Sequence, residues 1–88
     1  MEEIKKFLAG NPSVRVYIVG HTDNTGDLQH NLDLSKQRAA SVVNELAAKY
    51  GIDKGRLMAQ GVGPLSPVAD NTKEEGKSRN RRVELVKI

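Results

Sequence analysis

At 88 residues and 9.6 kDa the chain has room for one domain. Hydrophobic residues make up 38% and charged residues 28%, mean hydropathy is -0.52, and no apolar run approaches the roughly 20 residues of a membrane-spanning helix, which excludes that class. The net charge of +3 falls mostly in the last dozen residues, KSRNRRVELVK, and the absence of cysteine excludes both a disulfide framework and a zinc-thiolate site.

The opening MEEIKKFLAG lacks the basic and apolar segments of a secretory signal, so the signal of an exported protein would lie outside this sequence. Its Ile4, Phe7 and Leu8 stand at i, i+3 and i+4, the stripe of an amphipathic helix over residues 2–9 that Gly10-Asn11-Pro12 ends. Val14, Val16 and Ile18 then alternate with Arg15, Tyr17 and Val19, a period of two that predicts a strand closed by Gly20. A polar loop, GHTDNTGDLQH, follows.

Asn31 is a candidate N-cap for a helix running to Tyr50. On a helical projection Ala39, Val42, Val43, Leu46 and Tyr50 gather on one arc, and Arg38 borders it about a quarter turn from its centre. Gly51 stands where a left-handed C-cap belongs, with Ile52 placed for the accompanying apolar contact. Leu57 to Val62 reads as a short strand before the turn Gly61-Val62-Gly63-Pro64. Thr72 and Glu75 have capping-box spacing for one or two helical turns before Gly76, and residues 82–88 read as a closing strand with Val83 and Leu85 on one side. The sum is an α/β (α+β) domain over residues 1–88, a two-layer sandwich with a mixed sheet and helices on one face.

Several chemistries can be weighed on the residues alone. His21, Asp23 and Ser35 are the residue types of a hydrolytic triad, but no activating turn such as G-x-S-x-G surrounds Ser35. His21, Asp23 and His30 lack the i, i+4 spacing of a helical metal site, and Gly61-Val62-Gly63 lacks the rest of a phosphate loop. No catalytic residue, metal or cofactor is therefore expected. The basic cluster Lys77, Arg79, Arg81 and Arg82 makes a nucleic-acid-binding module the alternative function, although Phe7, Tyr17 and Tyr50 leave little for base stacking.

The strings GHTDNTG and NLDLSKQRA, followed by YGI, RL, QGVG, PVADN and NRRVEL, resemble the peptidoglycan-binding domain shared by the C-terminal part of outer membrane protein A (OmpA), the peptidoglycan-associated lipoprotein Pal and the flagellar stator protein MotB. The resemblance spans residues 11–86, and its strength lies in several blocks at family spacing. It implies non-covalent, non-catalytic binding of the peptidoglycan stem peptide through diaminopimelate, in a periplasmic protein attached to the outer membrane or envelope. It further implies that Asp23 meets the ligand ammonium and Arg38 a carboxylate, with Asn31, Leu34, Arg81 and Thr22 as the other pocket members.

The residue types suit that ligand. An amino-acid headgroup carries opposite charges on one carbon, so its recognition takes a carboxylate and a guanidinium a few ångströms apart. A helix beginning near Asn31 would add free N–H groups and a positive dipole end. The competing structural reading is that Asp23 and Arg38 pair with each other to hold the loop down. His21, Asn24 and Gly26 are expected to shape the loop, and Arg82 to serve a structural ion pair on the other strand face from Val83.

The family fold normally begins with one more strand and a longer first helix, so the chain reads as N-terminally truncated relative to the family. That leaves a sheet edge either exposed or covered by a second copy in a homodimer. Any membrane attachment would come from parts of the full-length protein outside this sequence. Lys77 stands where many relatives carry arginine, keeping the charge without the planar fork.

Overall fold

The computed structural model describes residues 2–88, apart from the side chain of Glu2. Helix α1 (Glu2–Gly10) buries Leu8 completely and packs Ile4 and Phe7 against the core, as the i, i+3, i+4 stripe requires. Strand β1 (Val16–His21) points Val16 and Ile18 into the same core. Helix α2 (Leu28–Tyr50) crosses to β2 (Leu57–Gly63) through a single 3-10 turn at Lys54–Arg56. Helix α3 (Glu74–Asn80) leads into β3 (Val83–Lys87). The sheet order is β2-β1-β3, with β1 parallel to β2 and antiparallel to β3, so the α/β expectation of a mixed sheet holds. No helix among the described residues is long and apolar enough to cross a membrane.

The core collects Leu8, Val16, Ile18, Ala39, Val43, Leu46, Ile52 and Leu57 between α1, α2 and one sheet face. Leu85 opposes Ile18, and Val83 opposes Gly20, which puts both on that face as their alternation predicts. The αL cap at Gly51 has φ 66°, and the Gly51 and Ile52 N–H groups both reach the Leu46 carbonyl while Ile52 is buried. At this end of the molecule Arg56 donates to the carbonyls of Leu8, Asn11 and Val14 at 2.9, 2.7 and 3.0 Å, tying α1 to the start of the sheet.

Three local expectations are corrected. Strand β1 does not stop at Gly20 but continues through His21, because Gly20 is where α2 lies directly on the sheet: a Cβ there would stand 2.1 Å from the Ser35 carbonyl oxygen. Gly61 on the neighbouring strand is approached just as closely: a Cβ there would stand 2.3 Å from the Lys36 nitrogen. The N-cap of α2 is Asp27, whose carboxylate accepts from the His30 N–H at 3.0 Å. Asn31 is buried inside the first turn with its own N–H on the Asp27 carbonyl, so it offers no open helix terminus. Finally, Thr72 folds back on Asp70 and does not cap α3, which begins after Lys73 and runs on through Gly76. Gly76 sits in the helix because a Cβ there would meet the Asp70 carbonyl oxygen at 1.7 Å.

Candidate functional site: an arginine-lined cavity beside Asp23

The close approach at Gly20 and Gly61 fixes the α2 N-terminal half over the C-terminal ends of β1 and β2, where the polar loop begins. Ser35 is spent on this seam: its hydroxyl donates to the Leu32 carbonyl and accepts from the Gly63 N–H, both at 2.9 Å. A hydroxyl so engaged is a structural group, with both of its bonds to backbone. Among the described residues no three His, Asp or Glu side chains converge as a metal site.

The loop is built around Asp23, which is buried with 7% of its surface exposed. One carboxylate oxygen accepts from the Thr25 N–H at 2.9 Å and the other from Arg81 Nη1 at 2.6 Å. The Thr25 N–H, and after it Arg81, hold the Asp23 pKa below the ordinary carboxylate value against the opposing effect of burial. Asn31 donates to the Thr25 carbonyl at 2.9 Å, the Thr22 hydroxyl donates to the Asp23 carbonyl at 2.7 Å, and the Thr22 N–H bonds to Gly63. Thr22 and Asn31 thus act on the loop backbone, fixing the turn that presents Asp23. Leu34 lies half-buried on the adjacent helical turn.

Arg81 reaches Asp23 from the junction of α3 and β3, and its second amino group, Nη2, donates to Glu74 at 2.7 Å. Glu74 first and Asp23 second raise the Arg81 pKa, keeping the guanidinium charged. A cavity of about 440 Å³ opens beside this pair, lined by Arg38, Arg81, Arg82 and Val83. Arg38 is exposed on α2 and, among the described residues, makes no ion pair. The structure therefore brings Arg38 and Arg81 to one cavity, with Asp23 reached through Arg81 and not itself in the lining, and it pairs Asp23 with Arg81, not with Arg38. The competing structural reading, in which Asp23 and Arg38 pair with each other, is not what forms.

Chemically, the cavity presents the Arg38 guanidinium, which among the described residues has no ion pair and suits a planar carboxylate, and the Arg81 guanidinium, behind which lies the Asp23 carboxylate. Sequence reasoning missed two participants. Glu74, in the first turn of α3, shares Arg81, and Lys77 donates to the Thr25 hydroxyl at 3.3 Å. The only sequence-level trace of Glu74 is an acidic residue at a helix start, where acids are common for dipole reasons alone. Arg82 does make the structural ion pair its strand parity suggests, with Nε 2.5 Å from Glu84.

The basic cluster does not behave as an open nucleic-acid surface, since Arg81 and Arg82 are engaged by carboxylates. Tyr50 carries the Lys5 ammonium 4.7 Å above its ring, and Phe7 packs on the core.

Comparison with known proteins decides the family. The OmpA family model matches residues 1–81. The chain belongs to the OmpA family. It is 46% identical over 74 residues to the probable lipoprotein YiaD of Escherichia coli (strain K12), covering 84% of this chain and 33% of that protein. It is 44% identical over 75 residues to the peptidoglycan-binding protein ArfA of Mycobacterium tuberculosis (strain ATCC 25618 / H37Rv), covering 85% of this chain and 23% of ArfA. Among solved structures, the peptidoglycan-associated lipoprotein from Burkholderia pseudomallei superposes with a TM-score of 0.87 at 30% identity, over 99% of this chain and 73% of that one. The chain spans a third or less of the length of these curated relatives. What it shares with them is this domain.

Proposed function

We propose that the chain binds peptidoglycan without covalent chemistry, grips the stem peptide at diaminopimelate, and anchors a longer envelope protein to the wall on the periplasmic side of the outer membrane. The observation that carries this reading is the cavity between Arg38 and Arg81 with Asp23 at its side. Support comes also from relatives whose names state peptidoglycan binding or association, ArfA and the Burkholderia lipoprotein.

In this reading a zwitterionic headgroup places its carboxylate on Arg38, the guanidinium with no ion pair of its own, and its ammonium on Asp23. The ammonium exchanges with Arg81 for the Asp23 oxygen, and Arg81 stays tethered by Glu74 at the cavity wall, from where it adds to the field on the carboxylate. Each charge-assisted hydrogen bond contributes roughly 1.5–3 kcal/mol, so loss of one partner weakens binding by about tenfold or more. No bond is made or broken, and the site holds its ligand by paired charge alone.

The test is a titration of isotope-labelled protein with free diaminopimelate, alongside pull-down on purified sacculi. Shifts confined to residues 21–38 and around Arg81, and lost together with pull-down in Arg38→Ala and Asp23→Ala, support the reading. Saturating diaminopimelate that leaves those amides unmoved, or an Arg38→Ala protein that still sediments fully with sacculi, overturns it.

A further inference from the structure

The polar residue that wall binding leaves unexplained is His21. Its surface is 4% exposed, and neither ring nitrogen makes a hydrogen bond, although both are buried. A buried imidazole with two unsatisfied nitrogens costs stability, so its retention at the end of β1 asks for a reason.

The surroundings supply one. Glu84 Oε1 lies 3.9 Å from His21 Nε2, and that same oxygen is the acceptor of the Arg82 Nε bond. The rest of the Arg82 guanidinium clasps backbone from two other segments, donating to the Ser66 carbonyl at 3.1 Å and the Asn80 carbonyl at 3.4 Å. Opposite His21 on β2 stands Gly63, with no side chain, and α2 approaches this end of the sheet through the uncharged Ser35 hydroxyl. The charged groups acting on the ring are thus Arg82 and Glu84, with the Ser66 carbonyl beside them. His21 precedes Asp23 by two residues, its N–H is bonded to the Arg82 carbonyl at 2.8 Å, and Arg82 follows Arg81 directly. Both halves of the Asp23–Arg81 pair are therefore anchored on this cluster.

We propose that His21 is the proton-sensitive element of a clasp: when neutral it leaves Glu84 to Arg82, which holds the chain at Ser66 and the Asp23–Arg81 pair in place, and when protonated it takes Glu84 and loosens that hold. Charge accounts for the direction. An imidazolium repels Arg82 and attracts Glu84, so each interaction pulls the Arg82–Glu84 pair apart. Burial first and Arg82 second hold the ring's pKa below its ordinary value, so the neutral, closed form prevails at neutral pH and the clasp opens only on acidification. Diaminopimelate does not change charge in that range, and Asp23, with its pKa below the usual carboxylate value, remains ionised. The consequence for binding rests on the reading of the site given above; the clasp does not.

Two readouts on the intact chain separate these. In ligand-free protein, the His21 ring nitrogens, the Arg82 Nε signal and the Ser66 and Asp23 amides are followed from pH 7.5 to 5. They are expected to move with one common midpoint below 6.5, and in His21→Gln the Arg82 and Ser66 shifts are expected to vanish. If His21→Gln fails to fold, Glu84→Gln, which removes the shared acceptor, must also uncouple Arg82 from pH. An Arg82 signal that stays still while His21 titrates, or that moves equally in His21→Gln, overturns the clasp. Diaminopimelate affinity is then measured at both ends: about fivefold weaker binding at pH 5 in the parent protein, absent in His21→Gln and retained in His30→Gln, extends the clasp to the site. Equal affinity at both pH values refutes control of the site, whereas no binding at either pH with the coupled shifts intact refutes wall binding and leaves the clasp standing.

Discussion

Two arginines hold the two ends of β1, and they do it with different acceptors. At the N-terminal end Arg56 spends its donors on the carbonyls of Leu8, Asn11 and Val14, neutral groups that are part of the chain and cannot leave. At the C-terminal end Arg81 spends its donors on Asp23 and Glu74, two carboxylates that a cationic ligand group can claim in its place. The first arrangement is a staple and the second an exchangeable contact. The difference lies in the acceptor: a backbone carbonyl left by its donor is an orphan, whereas a carboxylate left by Arg81 can take up an ammonium without loss of pairing.

The comparison breaks most severely at the seam between the two ends. Gly20→Ala would drive a methyl group into the Ser35 carbonyl, 2.1 Å away in the unrelaxed geometry, forcing α2 off the sheet. Overpacking against backbone costs about 3 kcal/mol, and denaturant unfolding should register it as a lower midpoint at unchanged slope. If the proposed site binds diaminopimelate, that binding should fall as well, since the same seam sets α2, which carries Arg38, over the strand ends. Arg56→Ala comes next, with an expected loss of about 2 kcal/mol from three charge-assisted bonds, two of them part-buried and the one to Asn11 exposed. Its diagnostic feature is the lack of any change in ligand affinity. An Arg56→Ala protein that folds normally but binds weakly would show that the two ends are not independent.

Much of this architecture is legible in the sequence, and the boundary of legibility has a physical basis. The β-branched alternation at Val14, Val16 and Ile18 and the arc from Ala39 to Tyr50 identify β1 and the body of α2, because burial of one face imposes a period. The first turn of α2, Leu28-Gln29-His30, is largely polar and carries no such period. With two good capping types available, the pattern could not favour Asp27 over Asn31, and the αL stop at Gly51 was easier to read than the start. At the site, Asp23 and Arg38 are visible through the family strings, but the partner that Asp23 holds in the structure is 58 residues away. Choosing Arg81 over Arg38 required the packing of α3 against the loop, which local propensity does not encode. Glu74 was invisible for the same reason, and so was the place of His21 beside the Arg82–Glu84 pair, although strand parity points to an ion pair at Arg82.

A smaller effect separates the two ends by acid. Asp23 has a depressed pKa in the folded chain, so its contribution is present above the unfolded value of about 3.8 and is lost as pH falls through the folded value. His21 is also depressed, from 6.5, and for a base this means the folded state is favoured above that value and loses stability as pH falls through the folded pKa. Melting temperature should therefore decline in two steps on acidification. His21→Gln should remove the step below 6.5, and Asp23→Asn should shrink the one below 3.8, which Asp70 shares because the Thr72 N–H and hydroxyl lower its pKa as well. Arg56→Ala should leave both steps in place, because carbonyl acceptors do not titrate. Acid steps that survive both substitutions undiminished would place the titrating groups elsewhere.

The smallest expected effect sets the baseline for the others. Glu45 and Lys49 pair at 3.1 Å across one turn of α2, with side chains 36% and 68% exposed, on a helix face that touches neither end of β1. Water competes for both charges, and holding two long side chains in one geometry offsets most of the attraction. Such i, i+4 pairs contribute about 0.3–0.5 kcal/mol. Glu45→Gln should accordingly shift the unfolding midpoint barely beyond measurement error and fade entirely in molar salt, where the screening length falls to about 3 Å. Geometry alone does not distinguish this ion pair from Asp23–Arg81, since both are short. What separates them is burial of the carboxylate, 36% exposed at Glu45 against 10% at Asp23, together with a cavity at the second site into which a competing charge can come.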